Sequence, residues 1–420
     1  SPARVRAGVG YVMVSMASSL IFVLALGYIY AAVGTMNMAQ IGMRMEEIPA
    51  GTRTAIFSVL LIAFGIKAAV FPLEAWLPDS YPTAPSLVTA VFAGLLTKVG
   101  VYAIIRARTS IFTAGGLDQL LMWVALATML VGILGAIAQS DIKRLLSFTL
   151  VSHIGYMIFG VSLGTAEGLS GAIFYAVHHI LVQTALFLVV GLIERQAGTS
   201  SLRRLGSLIY TAPLIAILYF IPAMNLGGIP PFSGFLGKVI LLQAGANEGS
   251  WQAWVVIGGA VVTSLLTLYV MVLVWSKGFL RDRADAPEGN IVMAHPSPLS
   301  DVTDVVEFDE RQDVGRVPFG MLASTCLLVL ASVSITFLAG PISGVTSRAA
   351  ESAQDDSIYR YAVLGDNADN PTRHKNQKDR YTNEQDSFEV RRGPIKDPAP
   401  AVETAPQEQP KSQPTESEAK

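Results

Sequence analysis

The 420-residue chain has little of what most enzymes and nucleic-acid-binding proteins use. Its one cysteine, Cys326, excludes a disulfide within the chain and any cysteine-based metal cluster. Only 15% of the residues are charged. The net charge of −2 shows no excess of basic residues of the kind that binds nucleic acid. We find no nucleotide-binding fold or flavin motif, so we expect no cofactor and do not expect the chain itself to be a redox enzyme.

Long apolar runs make up most of the chain instead. A helix needs about 20 mostly apolar residues to cross a bilayer. The sequence predicts an all-α, polytopic membrane helix bundle with about nine spans: 10–34, 55–77, 85–106, 117–138, 145–164, 170–194, 211–245 (interrupted), 252–277 and 317–339.

The lysines and arginines between these spans predict the orientation, since cytoplasmic loops carry an excess of them. One side has Arg4, Arg6, Lys143, Arg144, Arg195, Arg203, Arg204, Lys277, Arg281 and Arg283, and the other has only Arg44, Arg53, Arg106 and Arg108 before the tail. The first side is therefore predicted to be cytoplasmic. With nine spans, the C-terminal tail is predicted to lie outside the cytoplasm.

Two polar segments interrupt the apolar pattern. We predict a transmembrane domain over residues 1–343 that contains an acidic loop at 281–316, followed by a disordered polar tail at 344–420. Such segments contain too few large apolar residues to offset the entropy of ordering. The acidic loop is interpreted mainly as a solvated linker, with docking of a partner as the alternative.

Three lysines lie within apolar spans. They are Lys67 in LIAFGIKAAVFPLEAWLP, Lys98 in VFAGLLTKVGVYAII and Lys238 in NLGGIPPFSGFLGKVILL. A charge at the bilayer centre costs about 2.5–3.5 kcal/mol on insertion scales. One such lysine could simply cap a buried carbonyl, but three together favour function. Burial disfavours the charged amine and a nearby carboxylate favours it, so a row of lysines can act as a switchable proton relay.

Two of these lysines lie beside predicted helix breaks. Pro72 follows Lys67, while Gly228, Pro230 and Pro231 precede Lys238. Proline removes a backbone donor, and unpaired backbone survives in a membrane only inside protein or along a wet cavity. The breaks are five spans apart, which fits the opposite orientations of an inverted repeat.

Other polar residues are weaker candidates. His153 can relay protons because the imidazole titrates near neutral pH. His179 shares a helix face with Gln183, and adjacent His178 and His179 face different ways, so no metal site is expected. The histidines could instead be hydrogen-bonded bundle residues. Glu74 is either an acidic partner of Lys67 or a residue at the headgroup boundary.

Several longer runs carry a family resemblance. FGIKAAVFPLEAWLPDSYPTAPSLVTAVFAGLLTKVGVYAIIR, SDIKRLLSFTLVSHIGYMIFG and NLGGIPPFSGFLGKVILL resemble the antiporter-like membrane subunits shared by respiratory complex I and Mrp-type sodium/proton antiporters. HHILVQTALFLVVGLIER is most similar to the D subunit of the Mrp antiporter. The resemblance covers about residues 10–340.

The resemblance implies a core of fourteen helices built from two inverted repeats, of which the spans here look like the sixth to the fourteenth. Lys67 then matches the central lysine on the broken seventh helix. Lys98 matches the bridging lysine of the eighth, Lys238 the terminal lysine on the broken twelfth, and His153 the histidine of the tenth.

Three positions depart from the family pattern. The family's glutamate on the fifth helix has no counterpart, so an N-terminal truncation is expected and the partner of Lys67 is missing. Gln183 replaces a lysine found in complex I relatives, which removes one titratable group. Glu74 stands where many relatives have histidine or an apolar residue.

The sequence thus predicts a membrane subunit of a multisubunit monovalent cation (Na⁺)/proton antiporter in a bacterial inner membrane. Protons would pass through Lys67, Lys98, Lys238 and His153, with His179 and Glu74 in lesser roles. Expected partners are other subunits, protons, Na⁺ or another monovalent cation, and lipid, but no nucleic acid. A pumping subunit of complex I or of a membrane-bound hydrogenase, and a non-transporting scaffold, are the alternatives.

Overall fold

The computed structural model describes residues 2–288 and 317–365, with side chains from Val5 onward. The regular elements in these ranges are helices, joined by turns and loops, apart from one isolated β-bridge between Asp141 and Ser201. The predicted all-α class is confirmed.

Sixteen α-helices follow one another along the described chain. They are α1 (Pro2–Val33), α2 (Met38–Met45), α3 (Ala50–Ala68), α4 (Trp76–Ser80), α5 (Ser86–Val91), α6 (Thr97–Ser110), α7 (Asp118–Ile137), α8 (Ile142–Ser162), α9 (Ala166–Ala197), α10 (Leu208–Thr211), α11 (Pro213–Gly227), α12 (Ser233–Glu248), α13 (Trp251–Val274), α14 (Phe319–Phe337), α15 (Ala339–Gln354) and α16 (Asp356–Leu364). π-Helical turns at Phe92–Leu96 and Trp275–Leu280 join α5 to α6 and extend α13.

Eight helices in the described ranges are long and apolar enough to cross a membrane. They match eight of the nine predicted spans. The interrupted span is the pair α11 and α12, of which α11 is a shorter apolar helix. The prediction of about nine spans therefore agrees with these eight helices and the interrupted pair of α11 and α12.

Both predicted helix breaks are present. Helix α3 ends at Ala68, and the next residue, Ala69, has a left-handed φ of 58° and is followed by Pro72. Helix α11 ends at Gly227, and the next residue, Gly228, has a φ of 81° and is followed by Pro230 and Pro231. A left-handed residue ends a helix, and the prolines cannot resume it at once. Each break therefore interrupts the regular helical bonding inside a span, so that carbonyl groups at the helix end can accept hydrogen bonds from side chains.

Helices α8 and α9 form the centre of the bundle. Asp141 caps the first turn of α8 and Thr165 that of α9, each through a side-chain oxygen that accepts a backbone N–H. The apolar window of α8 is 94% buried and that of α9 is 72% buried, against 17% for α1. Polar residues on α8 and α9 are thus enclosed by protein, whereas α1 presents an apolar surface to lipid or to another subunit.

Helices α14 and α15 run along α9 in the opposite direction. Met321 lies against Gly191, Thr346 hydrogen-bonds Ser170 at 3.1 Å, and Gln354 donates to Gly164 O at 3.1 Å. The chain after the predicted last span therefore continues along α9 instead of leaving the bundle.

The prediction that disorder begins at residue 344 is wrong for residues 344–364, which form the rest of α15 and all of α16, separated by Asp355. Thr346 and Ala350 of α15 are buried at 3% and 0% exposure. The prediction of disorder was based on the average composition of the whole tail. That average did not reveal a helix face of small residues, which packs without large side chains. The remainder, 366–420, lies outside the described residues, as does 289–316 of the acidic loop. The start of that loop, 281–288, contacts the bundle through Glu288, which pairs with Arg203 at 2.8 Å and Arg204 at 3.1 Å.

Candidate functional site

Lys238 lies on α12 and reaches back to the break before that helix. Its Nζ donates to the carbonyl oxygens of Leu226 at 3.1 Å and Gly227 at 3.2 Å, and to Ser264 Oγ at 2.9 Å. The residue is 4% exposed. The Tyr156 ring lies 5.5 Å from the ammonium, within cation–π range. The break in the span thus supplies two of the three oxygens that accept hydrogen bonds from this buried ammonium.

His153 on α8 is fully buried beside α9. Its Nδ1 is 2.6 Å from the Tyr175 hydroxyl, and its Nε2 is 3.5 Å from Thr267 Oγ1. Because Thr267 already donates to Thr263 O, its hydroxyl oxygen is the acceptor for Nε2–H. This arrangement favours the neutral tautomer with the proton on Nε2 and the Tyr175 hydroxyl donating to Nδ1.

His179 stacks on His153, with ring centroids 5.2 Å apart. It lies within electrostatic range of Lys98, Lys238 and His178. Lys98, His179, His153 and Lys238 are all buried, and His153 is also within electrostatic range of both lysines. The structure therefore brings these four predicted residues together across α6, α9, α8 and α12, and we call them the buried row.

Polar atoms without protein partners line the same stretch of α9. Both ring nitrogens of His179, Nε2 of His178 and Oε1 of Gln183 have none, although Gln183 donates through Nε2 to Leu146 O at 2.8 Å. Atoms buried this deeply are ordinarily bonded to protein or to ordered water. The row is therefore suited to a chain of water molecules between the ionisable groups.

Lys98 stands at the end of the π-helical turn that joins α5 to α6. Its Nζ donates to Ala93 O at 2.6 Å, and the residue is 6% exposed. A π turn displaces carbonyl groups from the regular helical bonding pattern. The ammonium therefore rests on an oxygen that this irregular turn presents.

Lys67 lies apart from that row, on the last turn of α3. Its Nζ donates to Ser15 Oγ at 2.7 Å and approaches Ser15 O at 3.4 Å. It lines a cavity of about 330 Å³ whose walls include Tyr11, Val14, Phe64, Trp76 and Leu96. The end of α3 packs closely against α6 near Lys98. A Cβ atom added to Gly100 of α6 would lie only 2.6 Å from Ala68 N of α3. Only glycine permits this approach of the two lysine-bearing helices.

Glu74 does not pair with Lys67. Among the ion pairs of the described residues none joins the two, and Lys67 contacts Ser15 instead. Glu74 is 8% exposed and its Oε2 has no partner. The carboxylate is therefore mostly enclosed by protein, and its place at the headgroup boundary and its role as a relay residue both stay predictions.

A second buried polar cluster joins the start of α8 to the end of α9. Lys143 Nζ lies 2.7 Å from Glu194 Oε1, as an ion pair and not an aligned hydrogen bond. Ser86 donates to the other oxygen of Glu194 at 2.6 Å, and Ser200 donates to Asp141 at 2.5 Å. Burial raises the pKa of Asp141 to about 6, and the nearby Glu194 carboxylate adds to the effect.

Sequence reasoning missed several residues that hold the site together. Tyr175 is four positions before His179, on the same helix face, so its spacing could have identified it. Ser15 and Ser264 lie 52 and 26 positions from the lysines that they contact, and no local pattern indicates them. In the described residues no group of three or more His, Cys, Asp or Glu side chains is placed to hold a metal ion.

The fold and this row define a polytopic membrane protein with broken spans and buried ionisable groups, an arrangement typical of ion-translocating proteins. The family described as NADH:quinone oxidoreductase/Mrp antiporter, TM matches residues 1–267. The chain belongs to this family.

Relatives and solved structures agree with this assignment. The chain is 34% identical over 365 residues to the Na(+)/H(+) antiporter D subunit of Alkalihalophilus pseudofirmus, covering 86% of this chain and 68% of the relative. It is 36% identical over 290 residues to the corresponding antiporter protein of Bacillus subtilis, covering 68% and 58%. The chain thus spans between about three fifths and two thirds of these relatives' lengths.

A chain of the Mrp complex from Dietzia sp. DQ12-45-1b superposes with a TM-score of 0.75 at 33% identity, covering 86% of this chain and 70% of that one. Respiratory complex I from Thermus thermophilus matches with a TM-score of 0.61 at 22% identity, covering 82% and 69%, which shows a shared fold only.

Proposed function

We propose that this chain is a proton-conducting membrane subunit of a multisubunit Na⁺/H⁺ antiporter. The observation that carries the proposal is the buried row Lys98, His179, His153 and Lys238, in a chain whose relatives at 34–36% identity are named as D subunits of Na(+)/H(+) antiporters. Other subunits of such an assembly are its partners.

Protons pass along the row by transfer between neighbouring groups. His179 and His153 stack in contact, and His178 beside them hydrogen-bonds Ser233 at the start of α12, which carries Lys238. Partnerless polar atoms on α9 fit water molecules that connect the imidazoles to the lysines. Lys67 lies apart from the row, and protons reach Lys98 from it across the contact of α3 with α6.

The proposed orientation places the Lys143–Glu194 end of the bundle in the cytoplasm, in a bacterial inner membrane. The loops at this end carry most of the arginines and lysines. Helix α16 lies at the opposite end, where Arg360 pairs with Glu46 beside α2 at 2.5 Å. The tail after residue 365 then begins outside the cytoplasm.

The test is Na⁺-induced dissipation of a pH gradient in vesicles that contain the complete assembly. Lys98→Ala and Lys238→Ala should each reduce exchange by at least tenfold, and Lys67→Ala should also impair it. Lys277→Ala is the matched control, because Lys277 is an exposed lysine at the end of a span. Exchange at the control level in Lys238→Ala would refute the role of that residue, and exchange in all three variants would indicate a scaffold.

A further inference from the structure

The carbonyl and hydroxyl groups around Lys238 form a cage for a small cation. Leu226 O, Gly227 O and Ser264 Oγ all lie 2.9–3.2 Å from the ammonium nitrogen. Two of these atoms are the final carbonyls of α11, where the helix dipole concentrates negative charge. The bound positive group at the centre of this cage is the lysine side chain itself.

The backbone is shaped to let the cation approach. Gly228 adopts a φ of 81°, and a Cβ there would stand 3.0 Å from the Lys238 nitrogen. The missing side chain therefore keeps open the space that the ammonium occupies. Ser264 also donates to Gly227 O at 3.3 Å, so α13 holds the end of α11 in place.

We propose that this oxygen cage, which we call the Lys238 cage, is a monovalent-cation site that the Lys238 ammonium and Na⁺ occupy in turn. Neutral oxygens at the end of a broken helix are ligands of the kind that bind Na⁺ in transporters. The long lysine side chain can leave the cage by rotation about its side-chain bonds. The proposal rests on the proposed function and locates the exchange of the two ions at one residue.

The exchange conserves charge. When Na⁺ enters, the ammonium loses one proton, and the neutral amine turns away from the three oxygens toward the Tyr156 side. The proton passes to the row that contains His153, His178 and His179, all of which lie within electrostatic range of Lys238. One positive charge enters the cage for each one that leaves. Two cations in the cage together would repel strongly at this depth, so occupancy by one excludes the other.

The test measures proton release when Na⁺ is added to the purified complete assembly in weakly buffered detergent solution. The native assembly should release protons in a saturable way. Ser264→Ala removes one of the three ligands. It should raise the Na⁺ concentration that gives half-maximal proton release about tenfold, which corresponds to a loss of about 1.4 kcal/mol in binding free energy. Ser264→Thr keeps the hydroxyl and should restore most of the affinity. Ser334→Ala, at an exposed serine of α14, is the control and should match the native assembly.

A second variant separates Na⁺ binding from proton release. Lys238→Met should abolish the proton release that comes from this chain. Binding of ²²Na⁺ should persist but should no longer depend on pH. An unchanged half-maximal concentration in Ser264→Ala, or undiminished proton release in Lys238→Met, would overturn the cage as a cation site. If Lys238→Ala abolishes exchange in vesicles while Ser264→Ala leaves Na⁺ affinity unchanged, the relay stands and only the cage is refuted.

Discussion

Replacing Glu194 by glutamine should destabilise this protein far more than the same change in an exposed ion pair. Glu194 faces Lys143 at 2.7 Å, and the two side chains are 12% and 6% exposed. Glutamine has nearly the same shape and can still accept the hydrogen bond from Ser86. The change therefore removes the charge and leaves the lysine buried without a counter-ion.

The expected loss is about 3–5 kcal/mol. At an effective dielectric constant of about 20, two charges 2.7 Å apart attract by about 6 kcal/mol. Part of this attraction only offsets the desolvation of both groups. Breaking a buried pair by removing one partner nevertheless costs about 3–5 kcal/mol, since the remaining charge stays desolvated.

Asp79→Asn provides the matched control. Asp79 pairs with Arg144, the residue next to Lys143, at 2.8 Å, but these side chains are 66% and 38% exposed. Exposed pairs contribute about 0–1 kcal/mol. The two variants thus differ mainly in the burial of the pair that they break.

The assay is thermal unfolding of the purified assembly, followed with a thiol-reactive dye. Cys326 is the one cysteine of this chain and is partly buried. A Cys326→Ser assembly supplies the background from other subunits. Glu194→Gln should unfold at a clearly lower temperature than Asp79→Asn, and Lys143→Met added to Glu194→Gln should recover most of the loss. Equal unfolding temperatures for the two single variants would show that the buried pair is not a source of stability.

Three further changes test other contacts. Tyr175→Phe removes the donor to His153 Nδ1, so the pH profile of exchange should shift, whereas Tyr210→Phe at an exposed tyrosine should leave it unchanged. Asp141→Asn should alter the pH dependence of stability. The pKa of Asp141 in the folded protein is about 6, above the ordinary value of 3.8. Its contribution to the free energy of unfolding is therefore full below about pH 4 and falls by on the order of 3 kcal/mol as the pH rises through 6. The unfolding temperatures at pH 4.5 and pH 7.5 should therefore differ less in Asp141→Asn than in the native protein. An unchanged difference would contradict the argument that burial raises the pKa of Asp141. Ala350→Lys places a charge at a fully buried position of α15 and should expose α15 to hydrogen exchange, unlike Ser352→Lys at an exposed position of the same helix.

The sequence was sufficient for the spans, the two breaks and the three lysines, because these depend on local signals. Apolar length predicts a span, and proline or glycine beside a lysine predicts a break. The partners of the lysines were not predictable in this way, because Ser15 and Ser264 come from distant helices. The hypothesis that Glu74 partners Lys67 rested on helical spacing, and the break after Ala69 removes that spacing. Helix α15 was missed because its packing face consists of small residues.

Each of the three lysines rests on oxygen atoms, and for two of them the oxygen comes from irregular backbone. Lys238 binds the free carbonyls at the end of α11, and Lys98 binds Ala93 O in a π-helical turn. Lys67 instead contacts the hydroxyl and carbonyl oxygens of Ser15 on the unbroken helix α1. The helix breaks therefore supply the negative ends of dipoles to Lys98 and Lys238, and within the described part of the chain no carboxylate pairs with either lysine. For the proposed relay this difference matters, because a carboxylate would hold the ammonium strongly, whereas neutral oxygens would let a lysine leave, lose its proton and return.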